Sequence, residues 1–387
     1  MSNYDLVCQL EEIAVQKRFL PYSIGTSSQD ISYNDSYERA NFIFFSDSHV
    51  DLFNAEESLD NVKRTIEFSN HSPVKFDAVL HAGDIITPLH RESKEIAFTR
   101  AASFFEAVKP SRSAVLFAKG NHDLNDWHNT PEQVLTDDDF AKLFYDYAEE
   151  NYGIIRQKRA NGSISTWNYY DIEDKKIRII SLDVQDVEKT TTNEDGTVKY
   201  FGGNSFYISN EQMSWIADVA FNFDEKEEKD WGVILVFHQY PPESEEYENA
   251  VDKLLDLCVA FNNAGVYENK YVCQANSFFN LDISADFTRY QTLEKKPHII
   301  CWLLGHIHQD THETRKGIHI ITILNSSATN KASDARIARI LGTPTQNAFD
   351  ILNIDTRERK IRLFRYGAGT DCYGIGGDRF LPDGLTY

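Results

Sequence analysis

Five short apolar runs along the chain predict buried β-strands. They occupy residues 41–45, 76–80, 114–118, 232–237 and 298–304. A mainly apolar run of this length is typical of a strand in a sheet that is covered on both faces. Between the first three runs, apolar residues recur at helical spacing, from Leu59 to Ile66 and from Ala97 to Val108. Alternating strands and helices predict parallel strands joined by right-handed crossovers, which is an α/β architecture.

The pattern changes to antiparallel pairs after the third run. Residues 163–183 predict two antiparallel strands around a polar turn, and residues 349–366 predict a second pair around a charged turn. Ser209, followed by Gln212 three residues later, predicts the start of a helix. We therefore expect an α/β/β/α sandwich in which two stacked mixed sheets are flanked by helices.

Composition and charge narrow the class of protein. The chain has 387 residues, is 41% hydrophobic and carries a formal net charge of -21, so it can bury a large core and disfavours nucleic acid as a partner. Its five cysteines are scattered without a C-x-x-C pair, which argues against disulfides and thiolate zinc sites. Residues 1–17 lack the apolar stretch of a signal peptide, and no run reaches the ~20 residues of a membrane span. We expect a cytoplasmic protein without membrane association.

A polar motif follows each of the five apolar runs. The motifs are Asp47-Ser48-His49, Gly83-Asp84, Gly120-Asn121-His122-Asp123, His238 and Gly305-His306-Ile307-His308. Each one alone is explained as well by a turn, a helix cap, a core histidine or a surface pair. Together they stand at the carboxyl ends of five strands, where α/β sheets bind ligands. Imidazole, carboxylate and amide ligands without thiolate suit Mn, Fe, Zn or Ni.

This ordered set resembles the calcineurin-like metallophosphoesterase superfamily over residues 41–328. The resemblance implies a dinuclear centre of two divalent ions at the carboxyl edge of the strands. One ion would be held by Asp47, His49, Asp84 and His308. The other would be held by Asp84, Asn121, His238 and His306. Asp84 is then the bridging carboxylate.

The same resemblance implies a reaction. A metal-bound hydroxide would attack the phosphorus of a small phosphomonoester or phosphodiester, and His122 would protonate the leaving group. Asp123 would orient and charge-stabilise His122. The related purple acid phosphatases bind ferric iron with a tyrosine where this chain has Thr87. We therefore expect divalent ions and no colour from an iron–tyrosinate bond.

Two questions remain open from the sequence: whether the protein is an enzyme, and what the residues beside the motifs do. A catalytically inactive scaffold or binding protein on the same fold is the rival, because a fold does not fix a function. Such proteins usually lack metal ligands or the proton-donating histidine, which this chain retains. Four residues flank the motifs and suit either substrate contact or packing: His81, His90, His128 and Tyr240.

The domain organisation follows from these assignments. We expect residues 1–40 to form an N-terminal arm with one helix, and residues 41–330 to form the catalytic domain. Within it, residues 241–297 are an insertion containing one amphipathic helix, and residues 190–203 are a polar surface loop. Residues 331–387 are expected to form a hairpin and tail packed on the same domain.

Overall fold

A computed structural model describes most of the chain. The described residues are 39–52, 54–88, 91–240, 250–274, 276–329, 339–369 and 384–387. Residues 1–38 of the expected arm, His90 and most of the expected C-terminal tail lie outside them.

The strands and helices alternate in the first third of the chain, as predicted. The strands are β1 (Arg39–Phe45), β2 (Ala78–His81), β3 (Ala114–Phe117), β4 (Ile155–Lys158), β5 (Ile164–Ile172), β6 (Ile177–Ser181), β7 (Gly232–Val236), β8 (Val266–Tyr271), β9 (Leu281–Asp286), β10 (His298–Leu304), β11 (Thr311–Arg315), β12 (Ile318–Thr322), β13 (Ala348–Asp355), β14 (Lys360–Gly367) and β15 (Leu385–Thr386). The helices are α1 (Ala55–His71), α2 (Lys94–Val108), α3 (Asp137–Phe140), α4 (Asp146–Tyr152), α5 (Asn210–Trp215) and α6 (Ala250–Asn262). Helix α5 begins at the predicted cap, since the Ser209 side chain accepts from the backbone N–H of Gln212 at 3.2 Å.

Two mixed sheets confirm the predicted fold class. The first has the order β15-β14-β13-β1-β2-β3, and the second has the order β11-β12-β10-β7-β6-β5-β4. β1, β2 and β3 pair in parallel, and so do β6, β7, β10 and β12. The hairpin of β13 and β14 joins the first sheet through antiparallel pairing with β1.

The core explains why the strand sequences are mainly apolar. Side chains of β1 alternate between two buried faces, because successive residues of a strand point to opposite sides. Phe42 and Phe44 pack between the two sheets, against a cluster that includes Ile234 of β7. Ile43 and Phe45 face the opposite way and pack against helices α1 and α2. Helices α5 and α6 cover the outer face of the second sheet, which completes the four layers.

Two segments differ in character from ordinary surface loops. Within the insertion, the predicted helix forms α6, and β8 and β9 make a separate two-stranded sheet whose Tyr267 and Leu281 are buried. The prediction of a surface loop at 190–203 is wrong for its second half, where Val198 and Tyr200 are buried. No helix within the described ranges is long and apolar enough to cross a membrane.

Candidate metal centre

The five motifs meet where the carboxyl edges of the two sheets lie side by side. The first three motifs follow β1, β2 and β3 of the first sheet, and the last two follow β7 and β10 of the second. Backbone hydrogen bonds tie neighbouring motif loops together. Asp47 N–H donates to Gly83 O at 2.9 Å, and Gly305 N–H donates to His238 O at 2.9 Å.

Asp47, His49 and His308 form one group of converging side chains. His308 Nε2 lies 3.1 Å from Asp47 Oδ1 and 3.3 Å from His49 Nε2. Burial lowers the pKa of His49 to about 3, so this imidazole is neutral. Burial alone would raise the pKa of Asp47, but the charge and hydrogen bond of His308 hold it below its usual value.

Asp84, His238 and His306 form the second group. His238 Nε2 lies 3.1 Å from Asp84 Oδ2. The amide oxygen of Asn121 completes the group, 2.9 Å from His238 Nε2 and 3.0 Å from His306 Nδ1. Burial lowers the pKa of His306 to about 4. Burial also opposes protonation of His238, yet the charge of Asp84 outweighs it and raises the pKa of His238 to about 9.

Asp84 lies between the two groups. Its Oδ2 is 3.1 Å from His238 Nε2 in one group and 4.0 Å from His49 Nε2 in the other. Its Oδ1 accepts from the backbone N–H of His122 at 2.9 Å, which fixes the orientation of the carboxylate. This is the position that a carboxylate shared by two ions requires.

The donor atoms suit two cations. His49 Nε2 and His308 Nε2 face each other. A cation bound by both nitrogens would stabilise this arrangement more than the contact between two neutral rings does. His238 Nδ1–H donates to Ala82 O at 2.7 Å, so Nε2 is the nitrogen that faces Asp84 and Asn121. The Thr87 hydroxyl contacts His49 Nδ1, so His49 likewise turns Nε2 toward its group.

The backbone is strained at several of the candidate ligands. Five of the candidate ligands have positive φ angles although they are not glycine: Asp47, His49, Asp84, His306 and His308. A non-glycine residue in this region costs roughly 1–3 kcal/mol, and such strain clusters at functional sites. The turns place the side chains toward a common point at the expense of local stability.

Two motif glycines are explained by close approach. A Cβ atom at Gly120 would overlap the Asp84 side chain, and one at Gly305 would overlap Ser46 Oγ. The motif loops therefore pack against one another with no space for a methyl group. Glycine at these positions is a steric requirement of the centre.

His122 and Asp123 follow Asn121 but differ from each other in surroundings. The His122 ring lies edge-on to His49, with centroids 5.7 Å apart, and burial lowers its pKa. Among the described residues its Nδ1 has no hydrogen-bond partner.

The predicted pairing of Asp123 with this ring is wrong. The Asp123 carboxylate accepts backbone N–H groups instead, from Gly120 at 2.7 Å, Ile85 at 2.7 Å and Asp84 at 3.0 Å. Buried N–H groups of the two tight turns need acceptors, and Asp123 supplies them. Burial and the charge of Asp84 raise the pKa of Asp123 to about 7.

Comparison with known proteins identifies the family. The model of the calcineurin-like phosphoesterase family matches residues 40–310. The chain belongs to this family. A search of curated proteins finds no match.

Solved structures with low overall similarity also align with this family member. TT1561 of Thermus thermophilus is 10% identical, with a TM-score of 0.37, covering 84% of this chain and 98% of its own. The phosphopantetheinyl hydrolase of Mycobacterium tuberculosis is 12% identical, with a TM-score of 0.34, covering 74% of this chain and 90% of its own. At these values neither likeness carries an argument about activity.

Sequence reasoning missed the aromatic surroundings of His122. The Trp127 ring stacks on the His122 ring, with centroids 4.8 Å apart and planes at 15°. Phe201, from the segment expected to be a surface loop, meets Trp127 edge-on at 5.4 Å. The available signal was Gly202-Gly203, because adjacent glycines often mark close backbone approach.

The residues that flank the motifs lie in different surroundings. His81 is a buried packing residue: its Nδ1 accepts from Gly83 N–H at 3.1 Å and its Nε2 lies 2.9 Å from Ser48 Oγ. Tyr240 donates to Asp252 at 2.5 Å, and His128 is exposed beside Phe201.

Proposed function

We propose that this member of the calcineurin-like family hydrolyses a small phosphorylated substrate, a phosphomonoester or a phosphodiester, in the cytoplasm. The observation that carries the proposal is the position of Asp84 between two groups of imidazole and oxygen donors. Phosphate esters are dianions or monoanions, and a pair of divalent cations here would outweigh the two ligand carboxylates, Asp47 and Asp84.

Seven side chains would hold the ions, and their donor types suit Mn, Fe, Zn or Ni. They are Asp47, His49 and His308 on one side, Asn121, His238 and His306 on the other, and Asp84 between them. When bound, such ions polarise a phosphoryl oxygen and make water nucleophilic near neutral pH.

His122 would then donate a proton to the leaving alkoxide. It lies beside the centre without being among the converging donors, and its Nδ1 is not engaged by any described residue. Asp123 would support this step indirectly, by holding the turns that carry Asp84 and His122.

Hydrolysis assays on the metal-loaded protein test the proposal. We expect turnover of p-nitrophenyl phosphate or of its bis-ester, abolished by a chelator and restored by a divalent ion. The ratio of the two rates assigns the monoester or diester preference. A fully metal-loaded protein that hydrolyses neither ester favours the rival, a catalytically inactive scaffold on the same fold.

A histidine substitution tests the proton donor. His122→Gln should keep its metal content and lose ~10²–10⁴-fold in turnover of an alkyl ester. The matched control is His71→Gln, because His71 is exposed at the end of α1. Full activity in His122→Gln with metals retained would remove this role from His122.

A further inference from the structure

The His122 ring is held by stacking, and its stacking partner is itself fixed by a hydrogen bond. Trp127 covers one face of the imidazole at 4.8 Å, while the His122 Nδ1 atom has no hydrogen-bond partner in the described part of the chain. The Trp127 Nε1–H group donates to the carbonyl oxygen of Asn121 at 3.0 Å. The indole therefore contacts the backbone of one motif residue and the side chain of the next.

A second segment, Tyr200 to Gly203, packs against Trp127. A Cβ atom at Gly202 would overlap the carbonyl oxygen of Asn121, and one at Gly203 would lie 2.8 Å from the indole ring. The Phe201 ring packs edge-on against the indole at 5.4 Å. Because no side chain larger than hydrogen fits at Gly202 or Gly203, the segment lies directly against Asn121 and Trp127. The indole therefore has little room to rotate away.

Asp126 ties that segment to the motif loop. Its carboxylate accepts the Gly202 N–H at 3.0 Å and pairs with the Lys189 ammonium at 2.8 Å, and Lys189 also donates to Tyr200 O at 2.9 Å. Asp126 is fully buried. This ion pair and the hydrogen bond from Gly202 link the segment to residues 121–127.

We propose that Trp127 is a positioning residue for His122, fixing the ring where it can deliver its proton to the leaving group. This inference rests on the proposed function. Its distinctive consequence concerns the leaving group. A strongly basic alkoxide needs the proton as the bond to phosphorus breaks, whereas p-nitrophenolate is weakly basic and departs without it.

Trp127→Leu removes the stacking surface while keeping an apolar side chain. We expect kcat for an alkyl phosphoester to fall by up to about tenfold, the range that loss of one aromatic contact permits, with KM unchanged. The rate for the p-nitrophenyl ester should change by less than about twofold. Trp127→Phe keeps a stacking ring and should recover most of the alkyl-ester rate.

Metal content and thermal stability are measured on every variant. Selective loss on the alkyl ester, with metals retained and rescue by phenylalanine, supports the proposal. Equal loss on both esters, or no loss on either, overturns it and gives Trp127 a structural role only. Gly203→Ala is an independent variant, since its methyl group would press on both the Phe201 ring and the indole, and it should reproduce the selective loss. Wild-type protein that hydrolyses neither ester fails the proposed function itself, which is a different result.

Discussion

Arg365 links the C-terminal hairpin to the loop that carries His308, and we predict that its removal strongly destabilises the protein. Its guanidinium donates to Asp310 at 2.5 and 2.8 Å and to Asp350 at 2.6 Å. All three residues are buried, with 4%, 4% and 0% of the surface of Arg365, Asp310 and Asp350 exposed. Asp310 Oδ1 in turn accepts the backbone N–H of Leu324 at 2.9 Å.

The size of the stability loss in Arg365→Met follows from the two carboxylates that stay in place. Two carboxylates remain buried without this cation, and breaking a buried ion pair from one side typically costs ~3–5 kcal/mol. Arg315→Met is the control, because Arg315 pairs with Glu313 on the surface and both side chains are about two-fifths exposed. Surface pairs contribute about 0–1 kcal/mol.

Urea unfolding of both variants, followed by circular dichroism, measures the difference. We expect Arg365→Met to lower the free energy of unfolding by several kcal/mol more than Arg315→Met does. Adding Asp350→Asn to Arg365→Met should recover part of the loss, since one of the two buried negative charges disappears. Equal and small losses in the two arginine variants would refute the reasoning.

Two further predictions concern a motif glycine and a buried histidine. Gly120→Ala should reduce activity by at least ~10²-fold without unfolding the protein, because its methyl group would displace Asp84. The control Gly265→Ala should be tolerated, because a Cβ there meets nothing closer than 3.7 Å. Activity assays and circular dichroism check both variants. Burial and the charge of Arg359 lower the pKa of His298 from 6.5 to about 4, so the unfolded chain takes up this proton first and the native state loses stability as pH falls from 6.5 toward 4. His298→Phe cannot take up that proton. Between pH 8 and pH 5, the free energy of unfolding of this variant should therefore drop by about 2 kcal/mol less than that of the wild type. Parallel pH profiles of the two proteins would contradict this.

The sequence predicted the strands of the centre well because burial on both faces leaves a simple signal. β1 buries Phe42 on one side and Ile43 on the other, so residues 42–45 are all apolar. The loops after these strands were predictable for the same reason: a polar motif directly after a buried strand must lie at the edge of a sheet. Which sheet each strand joins was not predictable, because pairing depends on contacts distant in sequence.

The role of Asp123 could not be read from its place beside His122. Adjacency in sequence favoured a side-chain pair, but the buried N–H groups of Gly120 and Ile85 compete for the same carboxylate. The contact of Phe201 with Trp127 was hidden for a similar reason. Residues 190–203 are mostly polar, and their burial depends on Asp126, which lies 76 positions before the Gly202 N–H that it accepts.

Metal stoichiometry tests the central claim most directly. Purified protein loaded with Mn²⁺ or Zn²⁺ and passed through a desalting column is analysed by inductively coupled plasma mass spectrometry, with Asp84→Asn treated in parallel. We expect about two ions per wild-type chain and a loss of both affinity and stoichiometry in the variant. Wild-type protein that retains no ion, or an Asp84→Asn protein that retains as many ions as the wild type, would contradict it.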